Sequence, residues 1–176
     1  MTGTTQTLSR INALVSQLAT CLMERRATLA TAESCTGGLI AASLTDLAGS
    51  SAWFERGWVT YSNAAKSQEL GVPADLIDQH GAVSEAVAAA MANGARLHAH
   101  TELAIAVTGI AGPQGGSAEK PVGTVCFGWA TPSCTDTETC CFTGDRRQVR
   151  DQSVQHALSG LLRRLKETPG AASGNP

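Results

Sequence analysis

The chain has 176 residues, 43% of them hydrophobic but only 4% aromatic, enough for one domain with its own core, built from helices packed closely on a sheet. With 13 Lys and Arg against 15 Asp and Glu, the net charge is -2, which leaves no electrostatic footprint for nucleic acid. No apolar run is long enough to span a bilayer, and the opening residues MTGTTQTLSR lack the apolar core of a secretory signal, so a cytoplasmic protein without a membrane partner is expected.

In chain order, Leu8, Ile11, Leu14, Val15, Leu18 and Leu22 recur at intervals of three and four, which predicts an amphipathic helix from Leu8 to Arg25. TLATA at 28–32 alternates and predicts the first strand. It runs into Glu33-Ser34-Cys35-Thr36-Gly37-Gly38, after which LIAASLTDLAG resumes helical spacing. A strand, a turn of small residues and a helix aim free N–H groups and a positive helix end at the strand's carboxyl end, where anions and developing oxyanions are stabilised. Plain capping by Ser or Thr and tight glycine packing account for the same residues.

The segment Gly49 to Lys66, GSSAWFERGWVTYSNAAK, gathers Ser50, Ser51, Tyr61, Asn63 and Lys66. Serine becomes a nucleophile when a base takes its proton, and a desolvated lysine is such a base, so Ser51 with Lys66 is the leading candidate pair. A serine after glycine is also a common helix cap, and most lysines are simply solvated. Gly49 is expected to end the preceding helix and Ser50 or Ser51 to cap a short helical segment through Glu55. WVTY at 58–61 then forms a strand, and Asn63 caps the helix carrying Lys66 to Leu70. In that arrangement Ser51 and Lys66 face one cleft.

Ala74 to His80 reads as a short helix ended by Gly81, and Ser84 and Glu85 open an alanine-rich helix over Val87 to His98. His98 and His100 at its end are read as structural. LAIAV at 103–107 is a buried strand. It leads into the glycine-rich loop Thr108 to Ser117, at the end of a central strand, where open α/β sheets place ligands. The loop matches neither a phosphate-binding loop closed by G-K-[ST] nor a dinucleotide fingerprint. Val122 to Ala130 and Thr135 to Phe142 form a hairpin. Gly144-Asp145-Arg146-Arg147 opens a final helix to Leu165, and an arginine at a helix start is either a phosphate clamp or a solvated charge. One domain over residues 1–167 is expected, followed by a disordered tail at 168–176. The six cysteines (21, 35, 126, 134, 140 and 141) have no metal-ligand spacing and are read as reduced thiols, so no metal is expected.

TAESCTGG at 31–38, GSSAWFERGWVTYSNAAK at 49–66, HGAVSE at 80–85, TGIAGPQGGSAEKPVGTV at 108–125 and GDR at 144–146 together resemble the C-terminal domain of the CinA family. The resemblance covers residues 8 to 165. It implies an α/β fold of three layers, α/β/α, with a mixed, mostly parallel sheet like that of anticodon-binding domains, in a homodimer. It also implies hydrolysis of the carboxamide of nicotinamide mononucleotide to nicotinic acid mononucleotide and ammonia, without metal or organic cofactor. On this sequence the implied nucleophile is Ser51 and the base Lys66, with Ser34 as the second candidate nucleophile. Tyr61 is placed to relay a proton or to orient the pair. Ser34, Thr36, Gly37, Thr108, Gly109 and Arg146 are expected on the substrate, with Arg147 as the alternative phosphate ligand. Lys66 acts as a base near neutral pH only if burial lowers its pKa. Two rivals stand beside this reading: Cys35 as a thiolate nucleophile at a helix start, and a nucleotide-binding module without turnover.

Overall fold

The computed structural model describes residues 2–167; residues 168–176, where a disordered tail is expected, lie outside the described residues. Five strands form one sheet: β1 (Leu29–Glu33), β2 (Phe54–Val59), β3 (Leu103–Gly109), β4 (Thr124–Ala130) and β5 (Thr135–Cys141), in the order β2-β1-β3-β4-β5. β1 is parallel to both β2 and β3, whereas β3–β4 and β4–β5 are antiparallel. The sheet is therefore mixed, with parallel and antiparallel pairings in equal number.

The helices are α1 (Thr2–Arg25), α2 (Leu39–Thr45), α3 (Asn63–Leu70), α4 (Ala74–His80), α5 (Glu85–Ala99) and α6 (Arg146–Glu167). Because side chains alternate across a strand, the two faces of the sheet differ. Leu29, Ile105, Val107, Phe127 and Trp129 join Leu18 and Leu22 of α1 and Leu158 of α6 in one core, while Ala30, Ala32, Ala104 and Ala106 meet Met91, Ala92 and Ala95 of α5 in the other. The small-residue face lets α5 lie almost on the strands. A Cβ on Gly128 would come 2.5 Å from the Ala88 carbonyl oxygen, so only glycine fits the centre of β4 there.

Two local expectations are corrected. The short helical segment after Gly49 is a single 3-10 turn, Ser50–Ala52, and β2 begins at Phe54 rather than Trp58. The Leu29 N–H donates to the Trp53 carbonyl at 2.8 Å and starts the ladder with β1 four residues early. Ser62, not Asn63, caps α3, its hydroxyl accepting from the Ala65 N–H at 3.0 Å.

The connections create the cleft. From β1 the chain crosses through α2 on the large-residue face to β2; from β2 it crosses through α3, α4 and α5 on the other face to β3, on the far side of β1. Chains leaving the carboxyl ends of neighbouring strands in opposite directions open a crevice there.

Candidate active site

Ser34 is the first residue beyond β1. Its N–H donates to the Val107 carbonyl at 2.9 Å, which extends the β1–β3 ladder by one bond and leaves the side chain at the crevice. The turn that follows is held by Glu33. This fully buried carboxylate accepts from the N–H groups of Gly38 (3.0 Å), Ile40 (3.0 Å) and Ala41 (2.8 Å), using the free donors at the start of α2. Arg150 of α6 braces the same turn, its Nη2 donating to the Thr36 carbonyl at 2.8 Å.

Lys66 enters from the first turns of α3. Its side chain is 1% exposed, and Nζ donates to the Thr60 carbonyl at 2.8 Å and to the Ser34 hydroxyl at 3.1 Å. Among the described residues no carboxylate pairs with it. Burial lowers its pKa below the ordinary lysine value, against a smaller opposing effect of Cys35. A buried, unpaired amine on a serine hydroxyl is the arrangement of a general base on a nucleophile.

The pair lies in a cavity of about 210 Å³, lined also by Cys35, Ala82, Val83, Thr108, Gly109 and Ala111, with Tyr61, Asn63 and Arg146. Tyr61 is 60% exposed. Arg146 bridges two segments around the cavity, Nη1 donating to the Gly112 carbonyl and Nη2 to the Tyr61 hydroxyl, each at 2.9 Å. Two larger grooves, about 520 and 510 Å³, run along α1 and α6; neither is lined by a buried nucleophile with a base.

The expected pairing of Ser51 with Lys66 is not formed. Ser51 is exposed in the 3-10 turn that precedes β2, whereas Ser34 follows β1 and Lys66 follows β2. Since β1 and β2 are parallel, the start of one and the end of the other lie on opposite edges of the sheet, roughly 15–20 Å apart at ~3.3 Å per residue. Tyr61 is bonded to Arg146 rather than placed between a serine and the lysine. Thr108 and Gly109 line the cavity, while Thr36 and Gly37 lie in the turn behind Ser34 and do not. Arg146 faces the cavity; the adjacent Arg147 is 76% exposed and pairs with Asp151 at 3.8 Å. Cys35 also lines the cavity, but burial pushes its thiol up to about 12, which disfavours the thiolate that a cysteine nucleophile needs.

Sequence reasoning assigns Glu33 and Arg150 no role. An acid at a strand end just before a small-residue turn was the available signal for Glu33. Arg150 gave none, because its partner lies 114 positions away. Among the described residues no group of three or more His, Cys, Asp or Glu is placed to hold a metal, and no helix is long and apolar enough to cross a membrane.

Residues 11–165 match the profile of the CinA C-terminal domain. The chain is 53% identical over 154 residues to the nicotinamide-nucleotide amidohydrolase PncC of Escherichia coli, covering 87% of this chain and 93% of that protein. It is 51% identical over 152 residues to the protein of the same name from Pseudomonas putida, covering 86% and 95%. A competence-damaged protein (CinA) superfamily structure from Klebsiella pneumoniae superposes with a TM-score of 0.87 at 39% identity, over 90% of this chain and 99% of that one.

Proposed function

Because this chain belongs to the CinA C-terminal domain family, we propose that it hydrolyses the carboxamide of nicotinamide mononucleotide, as the names of its Escherichia coli and Pseudomonas putida relatives describe, with Ser34 as nucleophile and Lys66 as general base. The observation that carries this assignment is the buried Lys66 amine, paired with no carboxylate among the described residues, 3.1 Å from the Ser34 hydroxyl.

Neutral Lys66 takes the proton of Ser34 as its oxygen adds to the carboxamide carbon. The backbone N–H of Cys35, the residue after the nucleophile and part of the cavity lining, receives the developing oxyanion, a contribution of roughly 3 kcal/mol. The Lys66 ammonium then protonates the departing nitrogen, which leaves as ammonia, and an ester to Ser34 remains. Water, deprotonated by the same amine, hydrolyses the ester to nicotinic acid mononucleotide and frees Ser34. The positive pyridinium ring beside Lys66 further disfavours the ammonium form. A cavity of about 210 Å³ is below the ~300–1,000 Å³ of sites that engulf a drug-sized ligand. It takes the ring, and the phosphate lies at the mouth on Arg146.

Ammonia and nicotinic acid mononucleotide are to be measured with the wild type and with folded Ser34→Ala and Lys66→Ala proteins. Turnover by the wild type that is lost in both variants supports the assignment. Bound nucleotide without turnover in the wild type leaves a binding module instead. Within this reading the protein is a cytoplasmic homodimer without a nucleic-acid partner, and sedimentation equilibrium tests the dimer.

A further inference from the structure

The link between α4 and α5 forms one wall of the cavity through Ala82 and Val83, yet it belongs to no helix or strand. Its carbonyls are taken by side chains instead. Lys120 Nζ donates to the His80 carbonyl at 2.8 Å and to the Val83 carbonyl at 2.7 Å, the Ser84 hydroxyl donates to Gly81 at 2.9 Å, and the Thr108 hydroxyl donates to Ala82 at 2.8 Å. Of these tethers, Lys120 alone is charged and alone spans two carbonyls. Gly81 has φ +75°, and a Cβ there would come 3.4 Å from Lys120 Nζ, so the ammonium rests directly against the link.

Lys120 is itself held. Its N–H donates to the Ser117 hydroxyl at 3.0 Å, and the Ser117 N–H donates to the Lys120 carbonyl at 2.9 Å. This turn closes the glycine-rich loop, which Arg146 holds elsewhere through the Gly112 carbonyl. Among the described residues no carboxylate pairs with Lys120, and its ammonium bonds the end of α4 at His80 and the wall at Val83.

We infer that Lys120 is a positioning residue for substrate binding: its ammonium fixes the Ala82–Val83 wall opposite Ser34 and Lys66 and ties the glycine-rich loop to that wall. The inference rests on the amidase reading of the cavity. Lys120 is not among the residues lining the cavity, so it acts on affinity and leaves the chemistry of Ser34 and Lys66 unchanged. Charge-assisted bonds to two carbonyls are lost in Lys120→Met, while the apolar stem is kept.

The test compares full-length wild type, Lys120→Met and Lys120→Arg. Lys120→Met is expected to raise KM for nicotinamide mononucleotide ~10-fold or more, with kcat within ~3-fold and an unchanged pH profile of kcat. Lys120→Arg is expected to recover most of the affinity. Amide exchange should quicken in Lys120→Met at Gly81, Val87 and Ala88, whose acceptors Ile77 O, Ser84 Oγ and Ser84 O flank the tethered link, and not in the β-sheet. An unchanged KM, a fall in kcat alone, or faster exchange throughout the sheet overturns the inference. If the wild type shows no turnover, the amidase reading falls, and the exchange pattern still decides whether Lys120 holds the wall.

Discussion

Ser34 and Ser51 each occupy a short turn of small residues beside a strand, and each has a glycine nearby at positive φ, Gly37 at 60° and Gly49 at 84°. Their surroundings differ in every property that matters for catalysis. Ser34 is 8% exposed, leaves the carboxyl end of β1, and sits in a turn pinned by Glu33 and Arg150. Ser51 is exposed at the amino edge of β2. The contrast teaches that the strand end a hydroxyl occupies decides whether it meets a buried amine. Among the described residues, the carboxyl edge of β1 and β2 gathers a buried amine, a cavity and a cation.

The sharpest way to break this contrast is to remove each hydroxyl in turn. Ser34→Ala is expected to lower kcat by a factor on the order of 10³ or more, and Ser51→Ala to leave it within ~3-fold. Steady-state ammonia release decides, and the reverse pattern would move the nucleophile to the far edge.

A second pair, adjacent in sequence, sharpens it at the mouth. Arg146→Ala should raise KM about 10–100-fold, the range of a lost charge-assisted bond. Arg147→Ala, which removes an exposed charge, should change KM less than ~2-fold. Equal effects of the two would mean that the phosphate does not lie on Arg146.

Lys66 gives a smaller effect, read in stability. Its folded pKa is lowered by burial from 10.5, so between the lowered value and 10.5 the unfolded chain binds more protons and stability rises with pH. Below that window the folded state carries a desolvated charge. Lys66→Met should therefore raise the thermal midpoint at neutral pH, by a margin that shrinks as pH climbs toward 10.5. Thermal unfolding at several pH values measures it, and a gain that does not vary with pH would show that Lys66 does not titrate in this window.

The smallest expected effect concerns the thiol beside Ser34. With Cys35 buried and its pKa pushed to about 12, iodoacetamide at pH 7 should modify the exposed Cys134 and Cys141 and leave activity intact. Inactivation that tracks modification of Cys35 would revive the thiolate.

Much of this molecule was legible along the chain. Ala74 to His80 was read as a helix and is one, because Pro73 and Gly81 bracket it. The LAIAV strand, the hairpin and the final helix also follow their patterns, since unbroken apolar runs and spacings of three and four are local signals. Ser34 and Lys66 were both picked out as chemically interesting. Their partnership ranks only second in the sequence, behind Ser51 with Lys66, because it spans 32 positions and depends on which strand ends share an edge.

By itself the sequence determined the residue types available for catalysis, the order of strands and helices, and the family. Each of these is set by local pattern or by motif. Only the tertiary structure decided that the Lys66 amine meets the Ser34 hydroxyl, that Arg146 rather than Arg147 faces the cavity, and that Glu33, Arg150 and Lys120 bond the segments around it. Those outcomes follow from the parallel pairing of β1 with β2 and from which face of the sheet each crossover takes. Both are fixed by packing between distant segments, which spacing along a chain does not encode.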